Sequence, residues 1–338
     1  VEEKYDINTY QSVIAHYNKG LIVFRGELCM NYFDCHADTL TTILPSESLW
    51  NNSGCLDLFR IQKFAHYYTQ IFAIWLDRMQ IQAAGENMER AFWQLYQRGV
   101  FLLQEQPEAV VWCKNAADMC NAHASGRAAV FLSIEDLSIM GSYAERIHEL
   151  GFRFAMLSWN YENEYACGAV TDQSKGLTQK GRMLVDHLLE QRIVLDISHL
   201  SDRGAEDLFE ITERPVMASH SNVRDVCGHP RNLRKEHVKE LVRRKGLIGL
   251  NFYDQFVGNK PKLADLIRHA DAVLNLGGED LLALGSDFDG CGDNFPEGVS
   301  GVQSIPALKE VFERHFGSRI TEKIFFENAY RFVLNNAG

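Results

Sequence analysis

Histidine and carboxylate residues stand at the ends of several short apolar runs in this sequence. The residues of this kind are His36, Asp38, Glu135, His199, His220 and Asp287. Side chains two residues apart on a β-strand point the same way, so His36 and Asp38 could bind one ion. A second His-x-Asp copy, His269 to Asp271, lies in a helical pattern, where the two side chains diverge. We expect His269 to be a solvated surface residue.

These side chains offer imidazole and carboxylate ligands. The 8 cysteines are scattered without a Cys-x-x-Cys pair, which argues against a thiolate zinc site or a disulfide framework. Imidazole and carboxylate groups suit a zinc ion that keeps an open coordination position, and they are numerous enough for two ions sharing one carboxylate. The sequence therefore predicts a catalytic metal centre.

Each of these residues also has an ordinary structural interpretation. A strand-end histidine such as His199 or His220 is commonly a core or loop residue, and Glu135 could pair with an arginine or cap a helix. Asp287 and Asp289 lie in a glycine-flanked turn, where aspartate often bonds to the backbone. The metal centre is favoured because such residues end five different predicted strands.

Eight apolar runs rich in β-branched and aromatic residues are predicted to be the strands that position these groups. They cover residues 32–36, 70–75, 128–135, 152–159, 193–199, 215–220, 246–253 and 281–287. Amphipathic helical stretches alternate with them, and the spacing of about 36 residues matches a βα unit. We predict an α/β fold, a (β/α)₈ TIM-type barrel, in which the carboxyl ends of the strands share one mouth. A doubly wound open sheet is the alternative, but its glycine-rich first turn is missing.

The helical stretches cover residues 183–191, 205–211, 237–242 and 263–276, and residues 325–334 are expected to form a packed closing helix. We predict one catalytic barrel domain over residues 30–338, preceded by an N-terminal extension, residues 1–29, without an assigned role.

The charge and hydrophobicity of the sequence indicate which kinds of molecule the protein binds. The net charge is -11, which works against binding a nucleic-acid backbone and favours a small-molecule substrate. Neither a run of about eighteen apolar residues nor a signal peptide is apparent, so we expect a soluble, cytoplasmic protein without a membrane partner. Formation of a homodimer is an open alternative.

Further residues near the predicted mouth could contact a substrate. Trp159 could line the pocket or simply pack, and Arg231, followed by Asn232, could bind a carboxylate or pair with a surface acid. The sequence has neither a glycine-rich phosphate loop nor a Gly-x-Ser-x-Gly motif, so phosphoryl transfer and serine hydrolysis have no support.

At these residues the sequence resembles a known family, the membrane dipeptidases (renal dipeptidases), in a bacterial form. This family comprises zinc peptidases with an amidohydrolase-like, metal-dependent hydrolase barrel. The matching stretches run in the family's order from about residue 30 onward: 33–40 (FDCHADTL), 133–136 (SIED), 195–201 (LDISHLS), 219–222 (SHSN) with 231–232 (RN), 251–253 (NFY) and 285–290 (GSDFDG).

The resemblance implies two zinc ions per chain. It places one on His36, Asp38 and Glu135. It places the other on Glu135, His199 and His220, with Glu135 bridging.

The resemblance also implies proteolysis of dipeptides with a free C-terminal carboxylate, including those with a C-terminal D-residue. A metal-bound hydroxide would attack the carbonyl, with Asp287 as general acid and base. Arg231 and Tyr253 would hold the substrate carboxylate.

One position departs from the family. Many relatives have a histidine after the fourth strand that steadies the oxyanion, and this chain has Trp159 there. Two other functions stay open: a different amidohydrolase-type hydrolase, such as a deaminase or lactonase, and a non-catalytic zinc-binding barrel. Arg231 favours the dipeptidase over the lactonase, and Asp287 favours an enzyme over a binding protein.

Overall fold

Nine parallel strands form the centre of the computed structural model, which describes residues 30–338. The strands are β1 (Met30–Ala37), β2 (Ala65–Ile74), β3 (Val110–Trp112), β4 (Ala128–Glu135), β5 (Phe152–Met156), β6 (Val194–Asp196), β7 (Met217–Ala218), β8 (Leu247–Leu250) and β9 (Leu282–Leu284). The extension predicted for residues 1–29 lies outside the described residues.

Eight of these strands close into a barrel. They pair in the order β1, β2, β4, β5, β6, β7, β8 and β9, and β9 pairs back with β1. The eight predicted strands are these eight, so the (β/α)₈ barrel is confirmed and closure decides against the open, doubly wound sheet. The three-residue β3, which pairs only with the start of β4 and lies outside the closed barrel, was not predicted.

Helices surround the barrel. They are α1 (Thr39–Thr42), α2 (Leu58–Ile61), α3 (Arg78–Ala83), α4 (Met88–Gln104), α5 (Ala116–Ala124), α6 (Gln179–Glu190), α7 (Asp202–Ile211), α8 (Lys235–Arg244), α9 (Asp254–Val257), α10 (Leu266–Leu274), α11 (Ile305–Glu322) and α12 (Asn328–Asn336). The helices predicted over residues 183–191, 205–211 and 237–242 are α6, α7 and α8. Side chains cap several of them: Ser201, for example, accepts the backbone N–H of Gly204 at the start of α7. Within residues 30–338, no helix combines the length and the apolar character that crossing a membrane requires.

Large apolar side chains fill the barrel interior. Phe33, Phe131, Phe154 and Met217 are buried in one cluster, against which Phe332 of α12 also packs. The packed closing helix predicted for residues 325–334 is therefore confirmed. Because the interior is filled, polar side chains can gather only at an open end of the strands.

An irregularity in β1 decides which way its last residues point. Phe33 aligns with Thr69 of β2, whereas Ala37 aligns with Phe72, so β1 contains one extra residue between these two pairs. Such a bulge reverses the alternation of side chains and re-aims those that follow it. His36 thereby faces the same side of the barrel wall as Glu135.

His269 does not lie on the surface. It belongs to α10 and is fully buried. Its Nδ1 accepts the backbone N–H of Val223 at 3.1 Å, and its Nε2 lies 3.0 Å from the carbonyl oxygen of Val257. The expectation of a solvated residue is wrong because the ring connects the loop after β7 with the end of α9 by hydrogen bonds.

Candidate metal centre and active site

Three of the predicted ligands meet where β1 and β4 end. His36 Nε2 lies 3.2 Å from Glu135 Oε2 and 3.3 Å from Asp38 Oδ2, and all three side chains are buried. Asp287 approaches the same nitrogen, with its Oδ1 at 3.9 Å. The structure therefore brings together residues from β1, β4 and the turn after β9, as the strand-end rule predicted.

The other oxygen of Glu135 faces the remaining histidines. Glu135 Oε1 lies 2.7 Å from His199 Nε2, which in turn lies 2.8 Å from His220 Nε2. The rings of His36 and His220 stack with centroids 3.8 Å apart, so the two halves adjoin. One carboxylate thus stands between two groups of ligands.

The protonation of His199 follows from its neighbours. Its Nδ1 lies 2.9 Å from Asn160 Oδ1, an atom that can only accept, so Nδ1 carries the hydrogen. Arg231 Nη2, which can only donate, lies 3.1 Å from Nε2 of the same ring. The Nε2 lone pair of His199 therefore points into the centre. Asn160 follows β5, next to Trp159, with which it could line the pocket, but its bond to His199 was not predicted.

The donor set fits a cation. Side-chain atoms of Glu135, His199 and His220 that can bind a metal converge. Within residues 30–338, His36 Nδ1 and Asp38 Oδ1 are buried without a hydrogen-bond partner. Oxygen and imidazole nitrogen atoms of this kind are typical zinc ligands, and burying such polar atoms without a partner is costly. These residues can therefore hold zinc.

The pKa values of the buried carboxyl and imidazole groups reflect the charges that lie close together in this centre. Burial and the charge of Asp38 raise the pKa of Glu135 to about 7. Burial lowers the pKa of His199 well below its usual value, and the nearby Arg231 adds to the effect. For His36, burial opposes protonation, but Glu135 and Asp38 outweigh it and raise the pKa. A bound divalent cation would counter the repulsion between the carboxylates.

Asp287 is held in one orientation at the edge of this centre. Its Oδ2 accepts a hydrogen bond from Asn251 Nδ2 at 2.9 Å, while Oδ1 faces His36. Its backbone is left-handed, with φ at 62°, and a Cβ at Gly290 would come within 2.3 Å of both Asp287 Oδ1 and Asp38 Oδ2. Glycine is thus required for this close approach. Asn251, which was not predicted to act, lies just beyond β8.

Asp289 has a different role from Asp287. Its Oδ2 accepts a hydrogen bond from Thr39 Oγ1 at 2.6 Å, and its Oδ1 accepts the backbone N–H of Cys55. The structural interpretation of the glycine-flanked turn therefore applies to Asp289, which anchors the segment between α1 and α2.

Arg231 is a buried cation beside the centre. Its side chain lies over the ring of Phe256 at 5.3 Å, and among the described residues Nε and Nη1 have no hydrogen-bond partner. Burial lowers its pKa to about 10, so it stays charged at neutral pH. Buried donors without acceptors are costly, and an anionic ligand would satisfy them.

The two other residues predicted beside Arg231 have different surroundings. Asn232 Nδ2 donates to the carbonyl oxygens of Cys227 and Phe256, both at 2.8 Å, so this amide group organises the loop. Tyr253 is partly exposed and packs edge-on against Phe256, with centroids 4.7 Å apart. Substrate contacts by Asn232 and Tyr253 stay predictions.

Trp159 lies beside His199, one of the predicted ligands. Its ring centroid is 6.1 Å from that of His199, 5.0 Å from that of Trp75 and 5.4 Å from that of Tyr161. The structure therefore places Trp159 at the mouth, within an aromatic cluster.

Known proteins are similar to this chain in sequence and in fold. Residues 29–337 match the model of the membrane dipeptidase family, peptidase family M19. Dipeptidase aclJ of Aspergillus oryzae is 31% identical over 225 residues, which are 63% of this chain and 53% of that protein. The chain thus spans about half the length of this curated relative.

Two solved structures show the same fold. Dipeptidase AC, a metallopeptidase, superposes with a TM-score of 0.80 at 24% identity, over 91% of this chain and 99% of that one. A metallopeptidase from Rhodobacter sphaeroides, bound to a phosphinate mimic of the dipeptide L-Ala-D-Ala, has a TM-score of 0.79, with the same identity and coverage. Because the family model covers nearly all of the sequence, the chain belongs to the membrane dipeptidase family, peptidase family M19.

Proposed function

We propose that residues 30–338 form one catalytic domain that hydrolyses dipeptides with the help of two zinc ions bridged by Glu135. The observation that carries this proposal is the contact of the two Glu135 oxygens with two different histidines, His36 and His199. Membership of the dipeptidase family supports the substrate class. Measuring the metal content of the purified chain together with its hydrolysis of L,L-dipeptides tests both parts.

In this proposal His36, Asp38 and Glu135 hold one ion, and Glu135, His199 and His220 hold the other. Bound zinc lowers the pKa of water and polarises a carbonyl group. Asn160 keeps the hydrogen of His199 on Nδ1, so Nε2 carries the lone pair that would bind the ion.

Asp287 is proposed to carry the proton. Burial raises the pKa of this carboxyl, which favours a group able to take a proton and return it to the leaving amine. Asn251 occupies Oδ2, so the transfer is assigned to Oδ1, the oxygen that faces the centre.

Arg231 is proposed to bind the C-terminal carboxylate of the dipeptide, and amidation of that carboxylate tests the assignment. The amide removes the charge and leaves the scissile bond unchanged. We expect kcat/KM to fall about 10- to 150-fold, which corresponds to the roughly 1.5–3 kcal/mol of a hydrogen bond to a charged group. The measurement compares the acid and the amide of one dipeptide.

Arg231→Lys provides the matched variant. An ammonium keeps the charge but lacks the planar fork, so the variant should lose most of the preference for the acid over the amide. Equal cleavage of acid and amide by the natural protein would contradict the proposed carboxylate contact and reopen the lactonase and deaminase alternatives.

Trp159 is proposed to shape the pocket rather than to stabilise an oxyanion. Trp159→Phe keeps a ring and loses the indole N–H, so most of the activity should remain. Steady-state kinetics with a dipeptide measures this. A drop of about 10³-fold in kcat with unchanged folding and KM would instead assign the indole a catalytic hydrogen bond.

Tolerance of a C-terminal D-residue is part of the proposal. The R. sphaeroides structure, bound to a mimic of L-Ala-D-Ala, supports it. Comparing L-Ala-L-Ala with L-Ala-D-Ala tests it directly, and a chain that binds zinc but cleaves neither would favour the non-catalytic alternative.

A further inference from the structure

Three aromatic side chains form a wall at the mouth of the barrel. This aromatic wall consists of Trp75 after β2, Trp159 after β5 and Tyr161 further along the same loop. The ring centroids lie 5.0 Å apart for Trp75 and Trp159 and 5.4 Å apart for Trp159 and Tyr161. Trp75 and Trp159 are partly buried, whereas Tyr161 is 42% exposed. The wall therefore extends from the ligand His199 to solvent.

Within the wall, Trp75 lies across the mouth from Arg231, and Trp159 lies between the two, beside His199. In the barrel order β1, β2, β4, β5, β6, β7, β8 and β9, four steps separate β2 from β7 in either direction. Trp75 follows β2, and Arg231 lies in the loop after β7. The metal ligands occupy the space between them, since Glu135 ends β4 and His199 follows β6.

This arrangement sets the direction of a bound dipeptide. If the C-terminal carboxylate contacts Arg231 and the scissile carbonyl lies at the metal ligands, the N-terminal residue extends towards the opposite side. One extended residue spans about 3.3–3.6 Å, so the N-terminal residue lies next to the ligands and its side chain reaches their surroundings. On that side it meets Trp75, whose ring centroid lies 5.0 Å from that of Trp159.

We propose that the aromatic wall binds the side chain of the N-terminal residue, so that this chain prefers dipeptides whose first residue is large and apolar. Indole and phenol faces gain most by covering apolar or aromatic groups. A glycine in that position leaves the wall uncovered. The inference rests on the proposed function, because it needs a dipeptide anchored at Arg231.

The experiment compares kcat/KM for L-Phe-L-Ala and Gly-L-Ala in the zinc-loaded protein. We expect the natural chain to favour Phe-Ala about 10- to 150-fold, the range for burying one large apolar side chain. Trp75→Ala should lower this ratio at least about fivefold, and Trp75→Phe should restore most of it. The ratio of kcat/KM for two substrates does not depend on the fraction of active protein. The comparison therefore remains valid if part of a variant preparation is misfolded.

Phe101→Ala is the matched control, because Phe101 is an exposed aromatic residue on α4, outside the site. Its ratio should equal that of the natural chain.

Two outcomes would overturn the proposal. One is a ratio near one in the natural chain. The other is an equal loss for both substrates in Trp75→Ala, which would mean that the wall contacts the α-ammonium group common to both. Either outcome leaves the dipeptidase proposal standing, whereas failure to cleave any dipeptide would refute that proposal first.

Discussion

Asp287→Asn is expected to lower kcat for dipeptide hydrolysis at least about 100-fold while zinc binding stays near that of the natural chain. General acid–base transfer typically contributes 10²–10⁴-fold, and an amide cannot carry the proton. The replacement has the same shape and can still accept the hydrogen bond from Asn251. Steady-state kinetics and metal analysis of the same preparation measure both effects.

Asp289→Asn is the control that distinguishes a loss of proton transfer from structural damage to the turn. Asp289 has the same left-handed backbone two residues away, and its bonds to Thr39 and Cys55 stabilise the loop. This control should change the melting temperature more than kcat. Asp287 also lies close enough to His36 and Asp38 to share an ion with them. Loss of zinc from Asp287→Asn would therefore make Asp287 chiefly a ligand.

Glu135→Gln is expected to weaken the binding of both zinc ions. Changes to groups that only support a metal ligand already cost 10–100-fold in affinity, so neutralising a shared ligand should cost at least about 100-fold at each site. Zinc content should fall from two per chain towards zero under a competing chelator. Isothermal titration calorimetry with zinc measures the affinity of both sites independently of enzyme activity.

Asp38→Asn is the comparison variant, because Asp38 contacts His36 and is assigned to one ion only. It should weaken one binding event and spare the other. If Glu135→Gln retained one ion at its natural affinity, the bridge would be refuted and a single-ion centre would take its place.

The sequence was sufficient to predict the barrel because its signals are local. Each of the eight barrel strands is an apolar run, and helical periodicity separates most of them. Parallel strands in a barrel present their carboxyl ends at one mouth, so His36, Glu135 and His199 could be grouped before any distance was known.

Hydrogen-bond partners could not be predicted in the same way. Asn160 and Asn251 are identified only by the atoms they contact, His199 Nδ1 and Asp287 Oδ2. Asparagine is common at turns for backbone reasons, so its type alone does not single it out. For His269 the predicted exposure was wrong, because a helical sequence pattern does not show which other segments of the chain cover a residue.

The sequence by itself determined which ligand types this protein offers and on which strands they stand. The tertiary structure decided how they face one another. Strict alternation from the interior residue Phe33 would turn His36 out of the barrel, and the extra residue in β1 turns it towards Glu135. Burial of Arg231 likewise depends on Phe256 and His199, which are distant in sequence. Residue types and periodicity are properties of short segments, whereas the direction of a side chain depends on pairing between segments, which exists only in the folded chain.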